Sequence, residues 1–179
     1  MSPGTLLPLL LNLALVPSLQ TPLQTVPLYF GSKTVYVSAP RQKEQQFESY
    51  SYRNIIYNKG KTQAAIRWCY FWNKYVTCQV TVTNGYGKTQ ALPDSDIEQF
   101  IFTPDGRYLV GIGTGNHTLM LWTLGRTIAA PKVKTLVNMR VTDLQVSEHE
   151  LCIAGSNAGS FYVLLNWPDL SSVAVQKSA

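Results

Sequence analysis

Short apolar and β-branched runs, separated by turn residues, follow one another along most of the chain. Alternating apolar and polar positions enriched in Val, Ile, Thr and aromatic residues are typical of half-buried strands. Such runs predict an all-β fold. The predicted strands are Val26–Phe30, Thr34–Ser38, Ile66–Phe71, Tyr75–Thr83, Phe100–Phe102, Tyr108–Ile112, Thr118–Trp122, Val133–Val137, Val141–Val146, Leu151–Ala154 and Phe161–Leu165.

Turn signals separate these runs at short intervals. Asn84-Gly85 and Pro104-Asp105-Gly106 are two of them, and Gly and Asn supply the positive φ that tight turns need. The polar segment 39–50 is predicted to be a loop. Many short strands with even spacing favour a β-propeller, a barrel or a β-sandwich.

Two stretches in the second half of the chain are similar to each other. Residues 109–122 read LVGIGTGNHTLMLW and residues 151–164 read LCIAGSNAGSFYVL, and Leu109 lies 42 positions before Leu151. That spacing is the period of a four-stranded propeller blade. In a blade, small residues let neighbouring strands approach closely, which explains the series Gly111-x-Gly113-x-Gly115.

The first stretch resembles the WD-repeat family. Residues 100–113 (FIFTPDGRYLVGIG) resemble its strand–turn–strand element, and residues 116–122 (NHTLMLW) resemble its next turn and tryptophan-bearing strand. The likeness covers residues 96–124 and, less well, 140–166. It implies a propeller-like fold and a partner-binding role.

The chain departs from the family pattern, because Thr123 stands where the family has Asp. A β-sandwich is the alternative fold. The domain plan is an apolar N-terminal segment with leading strands (1–38), a basic-aromatic region (39–90) and two WD-like blades (91–179). Because 179 residues hold about four blades at most, three explanations are open. The chain is a fragment or isoform of a larger protein, its sheet is completed by another chain or by self-association, or its N-terminal strands form a different cap.

Positive charge is concentrated in one part of the chain. Only 14% of residues are charged, yet residues 41–88 carry eight cations and two acids, whereas residues 89–179 carry six cations and eight acids. Aromatic residues are interleaved with cations over 47–75, a composition suited to a protein partner or, as a less favoured reading, to nucleic acid. The predicted partner-binding residues are Tyr52, Arg53, Lys59, Lys61, Arg67, Trp68, Trp72 and Lys74.

Catalytic and cofactor signals are weak. Gly60-Lys61-Thr62 and Gly87-Lys88-Thr89 resemble the end of a phosphate-binding loop, but Ile55 and Val82 stand where its first Gly is needed. We therefore predict no catalytic residue, no metal and no cofactor. The three cysteines are predicted to be buried free thiols, with a Cys69–Cys78 disulfide across a hairpin as the alternative.

The N-terminal segment does not decide between an intracellular and a secreted protein. Residues 6–19 are leucine-rich, too short to span a bilayer, and similar to the apolar core of a signal peptide, but no Lys or Arg precedes them. An intracellular scaffold that binds proteins without catalysis is the favoured function. The alternative is a secreted, surface or viral structural β protein that has lost residues 1–20, in which Asn116 would be a glycosylation acceptor.

Overall fold

The all-β prediction is confirmed by a computed structural model. The structure describes residues 25–40, 49–72, 74–113, 115, 117–136, 140–148, 150–156, 160–166 and 169–177, which contain fourteen strands and no helix. No helix in this part of the chain therefore has the length and apolar character needed to cross a bilayer. The leucine-rich run 6–19, most of the predicted loop 39–50 and the glycosylation acceptor Asn116 lie outside the described residues.

The strands form four antiparallel sheets, and in each sheet strands that are consecutive in sequence pair with each other. The first sheet contains β1 (Thr25–Phe30) and β2 (Lys33–Ser38). The second contains β3 (Ser49–Tyr57), β4 (Gln63–Trp72), β5 (Tyr75–Asn84) and β6 (Thr89–Ala91). The third contains β7 (Ile97–Phe102), β8 (Tyr108–Gly113), β9 (Thr118–Thr123) and β10 (Lys132–Thr135). The fourth contains β11 (Arg140–Val146), β12 (Glu150–Ser156), β13 (Ser160–Asn166) and β14 (Ser172–Lys177).

Strands β3, β6 and β14 were not predicted from the sequence. In β3, a bulge interrupts the alternation: Arg53 pairs with Arg67, Ile55 pairs with Ile66, and Asn54 between them has a φ of 50°. An inserted residue shifts the following side chains to the other face, so the two-residue period is lost at that point. Strand β6 has only three residues and lies at a sheet edge.

The two similar stretches occupy equivalent places in successive sheets. Residues 109–113 lie in β8, the second strand of the third sheet, and residues 151–156 lie in β12, the second strand of the fourth. Leu109 is buried against the second sheet, and Leu151 is buried against the third. Each therefore points toward the sheet that precedes its own.

The sheets stack face to face in chain order. One core, which includes Leu28 and Trp68, joins the first sheet to the second, and another, which includes Val80 and Leu109, joins the second to the third. A third core, which includes Leu121 and Ile153, joins the third sheet to the fourth. The two middle sheets thus bury both faces, whereas a two-layer β-sandwich buries one face of each sheet. This arrangement favours successive blades.

Gly111 allows the close packing beneath Trp122 in the third sheet. A Cβ atom at Gly111 would lie 2.7 Å from Cδ1 of Ile97 and 3.0 Å from Cζ3 of Trp122, and both of these side chains are fully buried. At the other end of the Trp122 ring system, the indole N–H donates to the carbonyl of Pro93 at 2.9 Å. This hydrogen bond and the burial of both side chains restrict how far they can move to admit a larger residue.

The prediction of three free thiols was wrong. Cys69 and Cys78 face each other across β4 and β5 with a Cα–Cα distance of 4.1 Å, and they form a disulfide. Cys152 is free and half-buried. Burial raises the pKa of its thiol, and the carboxylates of Asp143 and Glu150 raise it further.

We expect Gly111→Ala to lower the free energy of unfolding by about 1–3 kcal/mol, because overpacking a filled core forces side chains out of their preferred positions. Chemical denaturation would measure the change. Gly125→Ala is the matched control, because its Cβ would meet only the carbonyl of Thr127 at 3.8 Å. Equal stability of the two variants would contradict the packing described for Gly111.

Candidate functional site

The residues predicted to bind a partner do not form one patch. Lys59 and Lys61 lie in the turn between β3 and β4, whereas Lys74 lies in the turn between β4 and β5. These turns are at opposite ends of β4, which has ten residues and is therefore roughly 30 Å long. A partner that contacts Lys59 and Lys61 is thus far from Lys74.

Trp68 belongs to the core and not to the surface, which corrects its assignment as a partner-binding residue. Its side chain is fully buried between the first and second sheets, and its indole N–H donates to the hydroxyl of Thr81 at 2.9 Å. Tyr52 packs edge-on against it, with ring centroids 6.4 Å apart, and keeps 42% of its surface exposed. A partner could contact Tyr52 but would have to open the sheets to contact Trp68.

Three further candidates have different surroundings. Arg67 is half-buried, and its Nε atom is buried without a hydrogen bond to any described residue. Arg53 lies opposite Arg67 in β3, and Trp72 ends β4, but the side chains of these two residues lie outside what the structure describes. The exposed cations among the candidates are therefore Lys59, Lys61 and Lys74.

Alternate turns of the first three sheets meet at one end of the stack, which we call the turn end. It consists of the turns β1–β2, β3–β4, β5–β6, β7–β8 and β9–β10. The third sheet meets the second here, because Gly106 lies against the side chain of Asn58. Within the third sheet, the backbone N–H of Leu124 donates to the carbonyl of Arg107 at 2.8 Å.

The turn end is strongly cationic. Asp105 is the one carboxylate in the turns that form it. Its exposed cations are Lys33, Lys59, Lys61, Lys88, Arg107 and Arg126. The corresponding turns of the fourth sheet carry acids instead, among them Asp169, whose pKa is lowered by hydrogen bonds from the backbone and hydroxyl of Ser171.

Asn and Asp side chains hold three of these turns in place. Asn58 Oδ1 accepts from the backbone N–H of Thr62 at 2.8 Å, and Asn84 Oδ1 accepts from that of Lys88 at 3.0 Å. Asp105 Oδ1 accepts from the backbone N–H of Arg107 at 3.0 Å. Such side-chain-to-backbone hydrogen bonds are the usual way in which Asn and Asp stabilise turns. Lys59, Lys61, Lys88 and Arg107 therefore project from turns whose backbones are held by side-chain hydrogen bonds.

Two clefts open between sheets at the turn end. The larger one, of about 500 Å³, lies between the first and second sheets and is lined by Lys33, Lys61 and Tyr86. Tyr86 is 89% exposed, and Lys33 Nζ lies 5.3 Å from the centroid of its ring. The smaller cleft, of about 270 Å³, lies between the second and third sheets.

Four of the turn-end cations were missed by sequence reasoning, namely Lys33, Lys88, Arg107 and Arg126. They are scattered over nearly a hundred positions, so no local charge run reveals them. A usable signal existed: in an up-and-down meander every second turn lies at the same end of the sheet. Sorting the charges by alternate turns would have grouped them.

The chemistry available at the turn end is that of amines, guanidinium groups and amides. These are hydrogen-bond donors to anions. Over the residues that the structure describes, no group of three or more His, Cys, Asp or Glu side chains is placed to hold a metal ion.

No protein-family model matches the chain, and no curated protein does. Among solved structures, the chain is similar to part of the crystal structure of a eukaryotic initiation factor, with a TM-score of 0.57 and 14% sequence identity. The alignment covers 82% of this chain and 37% of that chain. At this identity the likeness shows a shared fold alone, over little more than a third of the longer protein.

We expect Trp68→Phe to lower the free energy of unfolding by about 1–3 kcal/mol, because it leaves the buried Thr81 hydroxyl without the indole partner and removes core volume. Chemical denaturation measures this, with Tyr52→Phe as an exposed control that should change stability by less than about 0.5 kcal/mol. Loss of partner binding by Trp68→Phe at unchanged stability would restore the surface role predicted from the sequence.

Proposed function

We propose that this chain is a non-catalytic interaction domain, a WD-like scaffold whose turn end binds an acidic surface of a partner protein. One observation carries the proposal: six exposed cations from three successive sheets share one end of the stack with a single carboxylate from the same turns. A concentration of one charge raises the rate at which an oppositely charged partner docks and helps to select it.

The stacking of the sheets supports the WD-like part of the proposal. Three consecutive four-stranded meanders, with the similar stretches in equivalent strands, are the pattern expected of propeller blades. The first sheet has only two described strands. Completion of that sheet by another chain, or self-association, remains a prediction from the number of blades.

A protein partner fits the site better than nucleic acid does. Binding of single-stranded nucleic acid relies on exposed aromatic rings on which bases stack. Within the basic-aromatic segment 47–75, Trp68 and Tyr70 are buried. Tyr52 and Tyr75 are exposed, but Tyr52 lies within β3 and Tyr75 begins β5 at the end opposite the β3–β4 turn. The turn-end cations come mostly from outside this segment, and Tyr86 is an exposed ring beside them.

Charge reversal at the turn end tests the proposal. We expect Lys59→Glu/Arg107→Glu to weaken binding of an amide-capped oligoglutamate peptide at least about tenfold, which corresponds to about 1.4 kcal/mol. Lys74→Glu/Arg140→Glu, which reverses two exposed cations outside the turn end, should change it less than about twofold. Titration calorimetry or fluorescence anisotropy at fixed salt gives both affinities.

Two outcomes would overturn the assignment. Equal weakening by both double variants would mean that net charge alone drives binding. Tighter binding of an oligouridylate of equal charge, with an affinity that falls steeply as salt rises, would favour the nucleic-acid alternative.

The disulfide favours a second candidate function, that of a secreted or surface β protein. Disulfides persist in oxidising compartments and are rare in the cytosol, and Cys69 is bonded to Cys78 here. If the chain is secreted, intact-mass analysis of protein made in secreting eukaryotic cells should show loss of the leader and a glycan on Asn116. A full-length, unglycosylated chain retained in the cell would eliminate this candidate.

A further inference from the structure

The smaller cleft of the turn end lies between two sheets. Its walls are the β5–β6 turn and the segment that follows β9, and its volume is about 270 Å³. Lys88 Nζ donates to the carbonyl of Arg126 at 3.1 Å, and Gln90 Nε2 donates to that of Gly125 at 3.1 Å. These two hydrogen bonds join the second sheet to the third across the cleft.

Cationic and amide groups line the cleft, and no acidic residue does so in the described part of the chain. The Lys88 ammonium has further donors beyond its bond to the Arg126 carbonyl. The Arg126 side chain is exposed, and its planar guanidinium suits bidentate binding of a carboxylate. The mouth of the cleft is therefore complementary to an oxyanion.

One other feature narrows the choice of ligand. Val82, Leu124 and Ile128 supply an apolar lining. A ligand that fits both features has an oxyanion and an aliphatic group close together.

We propose that this cleft binds the C-terminal residue of a partner polypeptide whose last side chain is aliphatic. The carboxylate contacts Lys88 and Arg126. The aliphatic side chain packs on Val82, Leu124 and Ile128. The proposal rests on the proposed function, since it names the part of the partner that anchors at the turn end.

The size of the cleft agrees with this ligand. Pockets that enclose drug-sized molecules usually have volumes of about 300–1,000 Å³, and this one is slightly smaller. It therefore suits one amino-acid residue better than a nucleotide. Inorganic phosphate would satisfy the cations but would leave the apolar wall uncovered.

Binding of N-acetyl-L-leucine to the full chain, followed by NMR titration, tests the proposal. This probe carries the carboxylate, the amide N–H and the aliphatic group together. We expect saturable shifts of the amides of Val82, Gln90 and Gly125, and no saturable shifts with N-acetyl-L-leucinamide, which lacks the carboxylate. Arg126→Ala should weaken binding about tenfold, because a hydrogen bond to a charged group is lost.

Arg140→Ala is the matched control, because it removes an exposed guanidinium that lies outside the turn end and does not line the cleft. It should change the affinity for N-acetyl-L-leucine less than about twofold. Equal weakening by Arg140→Ala and Arg126→Ala would overturn the proposal. So would the absence of saturable binding, or inorganic phosphate binding as tightly as N-acetyl-L-leucine.

The amide-capped oligoglutamate separates this inference from the proposed function, since it has no C-terminal carboxylate. If oligoglutamate binding depends on the turn end while N-acetyl-L-leucine does not bind, the cleft proposal alone fails. If N-acetyl-L-leucine binds the cleft while charge reversal at the turn end leaves the affinity for oligoglutamate unchanged, the broader acidic-surface proposal fails. The cleft proposal is then still supported.

Discussion

Burial of both faces of the middle sheets is the constraint on which the rest of the structure depends. A strand covered on both faces needs apolar residues at successive positions, as in Leu109 and Val110 of β8, which point into different cores. It also needs small residues where a neighbouring ring fills the space, as Gly111 does beneath Trp122. The turns have no such requirement, and they carry the charged groups of the turn end.

This constraint explains what could be predicted from the sequence. Residues 109–122 have continuous apolar runs with small residues because β8 and β9 lie in a sheet that is covered on both faces, and that pattern is visible in the sequence. Residues 151–164 carry a similar pattern in the fourth sheet, whose described core is shared with the third sheet. Strand β3 escaped prediction because the bulge at Asn54 breaks its alternation. The disulfide was ranked below free thiols because pairing of Cys69 with Cys78 depends on the β4–β5 register, which composition does not reveal.

The candidate site was harder to predict than the fold, and for a physical reason. Aromatic residues beside cations in sequence point to opposite faces of a strand, so Trp68 enters a core while Arg67, its neighbour in sequence, faces the other way. The cations that share a surface are instead separated in sequence by whole strands, as Lys59 and Arg107 are. Of the predicted residues, only Lys59 and Lys61 lie at the turn end, because they occupy the β3–β4 turn.

The order of charge along the stack has an electrostatic consequence. At the turn end, the turns of the first three sheets are dominated by cations, whereas the corresponding turns of the fourth sheet carry Glu148 and Asp169. This end of the molecule is therefore positive on one side and negative on the other. A polyanion that approaches it is attracted toward the first three sheets and repelled by the fourth, so the side of first contact is selected before contact forms.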